Sequence, residues 1–251
     1  MLVLALDTAT PVVTAAVVRL LRPHELIDPA GTAATSAPQP TAPRPTAPIS
    51  VLAEANVDDA FAHAERLLPL AESALAQAGV ELGQLDAIVV GVGPGPFTGL
   101  RVGIATAAAL GDALGISVYP VPSHLGTALG AEVAEPFLVV TDARRREVYV
   151  SAFAPGSCGA LRTQAGPEVL RPADLAAFCA TLPQQPTAVA GAGAVLAGLD
   201  LPELPAGSAG LGLVRAAARD LLTGAVPAPP VPLYLRRPDV TEPSASKSVL
   251  A

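Results

Sequence analysis

Twice in this chain an apolar run ends on an aspartate and turns straight back into a second apolar run. Residues 3–6 end at Asp7, Thr8-Ala9-Thr10-Pro11 reads as a turn, and residues 12–18 return as a strand. Residues 137–141 end at Asp142, residues 143–146 form a polar turn, and residues 147–153 alternate as the returning strand. Two copies of one pattern predict a duplicated α/β fold with a hairpin opening each half. The core must be aliphatic and rich in alanine, because five Phe and three Tyr cannot fill it.

Between the hairpins the pattern is that of alternating strands and helices. Residues 22–48 hold seven prolines spaced by Thr and Ala, which predicts an extended insertion outside any ladder. A strand resumes at 49–55. A helix follows, capped by Asp58 or Asp59, with Leu67, Leu70 or Ala71, and Ala74 or Leu75 on one face. Pro69 should kink that helix or mark its true first turn. Residues 87–92 suit a strand buried on both faces. The loop 91–99 then leads into a long helix that Thr98 can cap and Gly115 can stop, with a strand at 116–120. Residues 155–166 read as loop, 172–180 as helix, 187–198 as a strand passing into a Gly/Ala turn, and 214–222 as helix. The predicted lobes are 1–114, carrying the insertion, and 115–237, whose last helix can pack back on the first lobe. Residues 238–251 are a tail.

A net charge of −7 excludes an electrostatic nucleic-acid binder in bulk. Cys158 and Cys179 exclude a disulfide scaffold and fit a reducing compartment. With no basic leader and no apolar run near the ~20 residues of a membrane span, the expectation is a cytoplasmic protein.

The chemistry-bearing candidates are few. Asp7, Thr8 and Thr10, a carboxylate and two hydroxyls at a strand end, suit a nucleotide phosphate with its Mg²⁺, or else an Asx-type turn. The loop 91–99 lies where phosphate loops lie, yet Pro94 and Pro96 remove two N–H donors, so a turn that presents Phe97 and Thr98 is the simpler reading. Gly99, Gly103, Ala107 and Gly111 repeat every four residues along one helix stripe. Each helical glycine costs about 1 kcal/mol against alanine, so the stripe implies close approach by another helix, of this chain or of another, or packing on its own sheet. Arg101 lies off the stripe, where it can anchor an acidic group. His24, His63 and His124 lack the partner spacing of a helix-borne metal site and read as structural or exposed; no metal is expected. There is no GxSxG elbow. Arg144, Arg145 and Arg146 form a basic spot in a turn of an acidic chain, suited to a phosphate or an acidic partner, or simply solvated.

Five segments together resemble the bacterial TsaB (YeaZ-like) family of tRNA threonylcarbamoyladenosine biosynthesis. They are Leu4-Ala5-Leu6-Asp7-Thr8-Ala9-Thr10, His63-Ala64-Glu65-Arg66-Leu67-Leu68-Pro69, the block 93–103, Asp142-Ala143-Arg144 with Glu147-Val148-Tyr149, and Leu233-Tyr234-Leu235-Arg236. The family's usual loop has Ser where this chain has Pro96, and its usual short turn is replaced by the insertion 22–48.

The resemblance implies a two-lobed fold of the actin/Hsp70/sugar-kinase (ASKHA) type, with mixed sheets flanked by helices. It implies a non-catalytic accessory subunit that activates TsaD, which threonylcarbamoylates adenosine 37 of tRNAs reading ANN codons. TsaD's metal motif HxxxH would fall on His124-Leu125-Gly126-Thr127-Ala128, where alanine replaces a ligand. Implied partners are TsaD, TsaE in an ATP-dependent complex, and a second copy of the chain; tRNA is met indirectly. The partner face would be Leu67, Leu70, Ala71, Ala74, Gly99, Leu100, Gly103 and Ala107. Asp7, Thr8, Thr10, Asp142, Gly191 and Gly193 would be a vestigial nucleotide site, with no cofactor required and a weak ATP or ADP contact left open. The rival readings are a small-molecule kinase or weak ATPase of the same fold, and more remotely a peptidase.

Overall fold

The computed structural model describes residues 1–26, 48–58, 63–131, 133–156, 160–191 and 193–236. Two sheets share one topology. The first has strand order β3-β2-β1-β4-β5, from β1 (Leu2–Asp7), β2 (Val12–Leu20), β3 (Ile49–Asp58), β4 (Ala87–Gly91) and β5 (Ser117–Val121). The second has order β8-β7-β6-β9, from β6 (Phe137–Asp142), β7 (Val148–Pro155), β8 (Leu161–Leu170) and β9 (Ala188–Ala190). In both, an antiparallel meander of three strands carries a parallel strand beside its first member. The two hairpins occupy equivalent places, with Asp7 opposite Thr14 and Asp142 opposite Val148.

Period-two alternation sends Leu4, Leu6, Val13 and Val17 to one face of the first sheet and Val3, Ala5, Ala16 and Val18 to the other. The first face is covered by α2 (His63–Ala78) and α3 (Phe97–Leu114), the second by α6 (Ala209–Thr223). The second sheet packs Leu138, Val140 and Val150 against α5 (Leu175–Ala180), with Phe178 and the buried Cys179. Its other face, Phe137, Val139 and Phe153, meets Ala128 of α4 (Ser123–Gly130). The pair α4 and α6 lies between the sheets. A Cβ on Gly212 would fall 1.8 Å from the Gly126 carbonyl oxygen, so the two backbones touch there. The remaining short helix is α1 (Pro23–Leu26).

Several local expectations are corrected. β5 is the edge strand of the first sheet, not the start of the second lobe, because its parallel pairing with β4 spans Ser117 to Val121. Residues 161–166, read as loop, belong to β8; this edge strand has no buried residue and carries Pro167, so it shows no clean alternation. Asp58 ends β3 opposite Val12, and Asp59 lies outside the described residues. Pro69 sits inside a continuous α2. Pro96, not Thr98, is the N-cap of α3, without a side-chain cap. Most of the Pro-rich stretch, residues 27–47, lies outside the described residues, as do Cys158 and the tail. The stretch joins β2 to β3, whose ends meet through the Leu21 N–H donated to the Pro48 carbonyl, 2.9 Å. No helix among the described residues is long and apolar enough to cross a membrane.

Candidate functional site

The strand-end carboxylate of the first hairpin is turned inward. Asp7 is buried, and its Oδ1 accepts from the Ala9 N–H at 2.8 Å and from Ser123 Oγ at 3.1 Å. Ser123 in turn accepts the Gly93 N–H at 3.1 Å, so one carboxylate ties β1, the loop after β4 and the start of α4. Burial pushes the Asp7 carboxyl above its ordinary range, while the hydrogen bonds oppose the shift. Thr8 donates its hydroxyl to the Gly99 carbonyl at 2.7 Å, deep in the first lobe. Thr10 closes a local turn with Val12.

A cleft of about 310 Å³ opens between the sheets, lined by Thr10, Thr14, Glu54, Asn56, Thr141 and Gly191 among others. Thr14 donates to Asn56 at 2.7 Å, Asn56 to Glu54 at 3.3 Å, and Ser208 to Glu54. Of the six candidate nucleotide residues, Thr10 and Gly191 line this cleft. Asp7 and Thr8 lie inside the first lobe. Asp142 accepts the Arg144 N–H at 2.7 Å, and Gly193 donates its N–H to Val140 at 2.9 Å. Among the described residues the cleft lining carries two carboxylates, Glu54 and Glu203, and no basic side chain.

His124, the histidine of the HxxxH-like segment 124–128, lies in α4. It is buried, and its ring nitrogens lie 2.8 Å from Ser151 Oγ and 2.9 Å from Thr141 Oγ1. Burial holds its pKa down to about 3, so the ring is neutral and pins α4 to the second sheet. His24 is exposed in α1 and His63 opens α2. No group of three His, Cys, Asp or Glu among the described residues is arranged to hold a metal.

The eight residues expected at a partner face are placed mostly elsewhere. Leu67, Ala71, Ala74, Gly99, Leu100, Gly103 and Ala107 are buried in the chain's own core, and Leu70 alone is half-exposed. The glycine stripe of α3 faces its own sheet: a Cβ on Gly103 would lie 2.3 Å from Thr8 Oγ1. On the opposite side of the helix, Arg101, Ala105, Ala109 and Ala113 form an exposed stripe that the sequence reading missed. Its signal was present as i, i+4 spacing but was masked by the neighbouring glycines. Leu68 of α2, 45% exposed, adds an outward apolar residue.

The arginine turn is unusual. Arg144, Arg145 and Arg146 have φ of 63°, 54° and 62°, a left-handed run that costs about 1–2 kcal/mol per L-residue. It is held by the Arg144 N–H on Asp142, by Ala143 and Glu147 backbone bonds of 3.0 Å, and by Arg236, which donates to the Ala143 carbonyl at 3.0 Å.

Against known proteins, the family model for TsaD, tRNA N6-adenosine threonylcarbamoyltransferase, matches residues 58–217. The chain is 45% identical over 238 residues to an uncharacterized protein of Mycobacterium bovis, covering 94% of this chain and 92% of that one. It is 39% identical over 92 residues to the tRNA threonylcarbamoyladenosine biosynthesis protein TsaB of Haemophilus influenzae, covering 36% of this chain and 39% of that one. The structure of YeaZ from Pseudomonas aeruginosa superposes with a TM-score of 0.65 at 27% identity, covering 93% of this chain and 99% of that one.

Proposed function

Since the chain belongs to the family of the TsaD model, as a YeaZ/TsaB-like protein, we propose that it is a non-catalytic accessory subunit that binds and activates TsaD in threonylcarbamoylation of tRNA adenosine 37. The observation that carries this reading is that the chain uses its own would-be reactive groups for structure. The Asp7 carboxylate is held by Ala9 and Ser123, the Thr8 hydroxyl by Gly99, and both His124 nitrogens by Ser151 and Thr141. The inter-sheet cleft is acidic, which supports a vestigial nucleotide site and no required cofactor.

In this reading TsaD, or a second copy of the chain, packs on the outward face of α2 and α3. Leu68, Leu70, Ala105 and Ala109 would meet the partner, and the small side chains let a helix come close. Homodimer and heterodimer then compete for one face, and TsaE joins in the presence of ATP.

The test is threonylcarbamoyl transfer to tRNA by the TsaD of the same organism, with TsaE and the activated-adenylate synthase, with and without this chain. Loss of product on omission, with no ATP turnover by the chain alone, supports the reading. Full product without the chain, or robust ATP turnover by it, overturns the reading in favour of a kinase or ATPase of this fold.

A further inference from the structure

Two segments far apart in sequence, 92–101 and 233–236, converge beside the arginine turn. Phe97 and Tyr234 stack with ring centroids 5.0 Å apart, and the Arg101 guanidinium lies 3.9 Å from the Phe97 centroid. Arg101 Nε donates to the Tyr234 hydroxyl at 2.8 Å. The strap around residues 233–236 is tied to the first lobe by the Leu233 N–H on Val92, 2.8 Å. It is tied to the second by an Arg236–Glu147 ion pair of 2.6 Å. Between these groups is a pocket of about 300 Å³ lined by Phe97, Arg144, Arg145, Tyr149, Tyr234 and Arg236.

This pocket is the electrostatic opposite of the chain. Among the described residues three arginines (144, 145 and 236) line it, Arg101 lies over the Phe97 ring and Arg146 follows in the turn, while Asp142 and Glu147 pair with Arg144 and Arg236, all on a protein of net charge −7. Guanidinium groups bind phosphate oxygens with directed N–H bonds. Phe97 and Tyr234 are 37% and 39% exposed, so part of the stacked pair faces solvent. Arginines beside exposed rings in a concavity match a phosphate joined to a planar base, and single-stranded RNA is read this way. An acidic peptide would use the arginines but leave the rings without a role.

We propose that this pocket holds one nucleotide of a single-stranded RNA segment, its phosphodiester against Arg144 and Arg145 and its base against the Phe97–Tyr234 pair. The proposal rests on the reading that the chain works on tRNA, and it makes that contact direct. The strap keeps the ring platform and the arginine turn, one from each lobe, at a fixed separation.

The experiment is fluorescence anisotropy of a labelled short single-stranded RNA, and of unmodified tRNA, with the full-length chain at low salt. The paired change Arg144→Gln with Arg145→Gln should weaken both by about tenfold or more, and lower the salt slope by about 1–2. Tyr234→Leu should weaken the single strand by about tenfold. Arg219→Gln, on the exposed side of α6, should leave affinity unchanged, and circular dichroism should show each variant folded. Wild-type chain that does not bind RNA overturns the proposal. So do arginine variants that bind like Arg219→Gln, and displacement of the RNA by an equal concentration of free AMP or of a polyglutamate peptide. The same variants in the transfer assay separate the two readings. If omission of the chain abolishes product but the arginine variants bind and support transfer fully, the pocket assignment falls and the accessory role stands. If omission has no effect, the accessory role falls and anisotropy still decides the pocket.

Discussion

The hydroxyl of Thr8 occupies the space that a side chain on Gly103 would need: a Cβ there would sit 2.3 Å from Thr8 Oγ1 but 3.5 Å from Thr8 Cβ. The helix α3 and the turn after β1 are therefore in contact through one missing methyl group.

Gly103→Ala should destabilise the chain by about 2–3 kcal/mol, as overpacking does, despite a better helix propensity. Thr8→Ala removes the oxygen and leaves an ordinary contact. In that background Gly103→Ala should be neutral or favourable, because the helix gains about 1 kcal/mol from losing its glycine. A double-mutant cycle from urea unfolding checks this; additive effects would sink the assignment.

Ala109→Arg places a large charged side chain on the exposed stripe of α3. The expected outcome is an unchanged melting temperature with at least a tenfold loss of affinity for TsaD, and loss of any homodimer, measured by light scattering and titration. Undiminished pairing would move the interface off this face.

His124 links stability to pH. Its folded pKa of about 3 lies below the ordinary 6.5, so the neutral ring favours the folded state above pH 6.5. As pH falls below 6.5 the unfolded chain takes up the proton first, and stability drops by roughly 1.4 kcal/mol per unit, about 2 kcal/mol by pH 5. His124→Gln should be less stable than wild type at pH 7.5, with a flatter profile between pH 6.5 and 5. Parallel profiles in urea titrations would contradict a buried neutral ring.

Asp7 has the opposite sign. Its carboxyl is raised in the folded state by burial, so the ionised form lowers stability above the folded pKa, and this cost fades as pH falls toward 3.8. Asp7→Asn keeps an acceptor for Ala9 and Ser123. The variant should equal or exceed wild type in stability at pH 8, with the difference shrinking in acid. A variant much less stable at pH 8 would show that the hydrogen bonds outweigh desolvation.

Deletion of residues 28–47 should leave stability within about 1 kcal/mol and TsaD binding intact. The Leu21 to Pro48 hydrogen bond already brings the ends of this segment together, and loop closure depends weakly on length. An insoluble product would show that the segment is structural.

Legibility followed the range of the interaction. Both hairpins were readable because alternation and turn residues are local, and Asp7 and Asp142 fell at the strand ends as read. β8 was not readable, because none of its residues is buried and neither face imposes an alternation. The glycine stripe announced a close approach without naming what approaches. The visitor is Thr8, whose bond partner Gly99 lies 91 residues away. The helix pair that does touch backbone to backbone is α4 with α6, at Gly126 and Gly212.

By itself, then, the sequence determined the two hairpins and the helices α2, α3, α5 and α6, since these depend on neighbours within a few residues, but not α4 or what faces each glycine. Only the tertiary structure decided that Asp7 and His124 are spent on holding elements together. Only it brought Phe97, Arg144 and Tyr234 to one pocket. Burial and convergence are properties of chain segments that meet across the fold, and no local pattern records which segments those are.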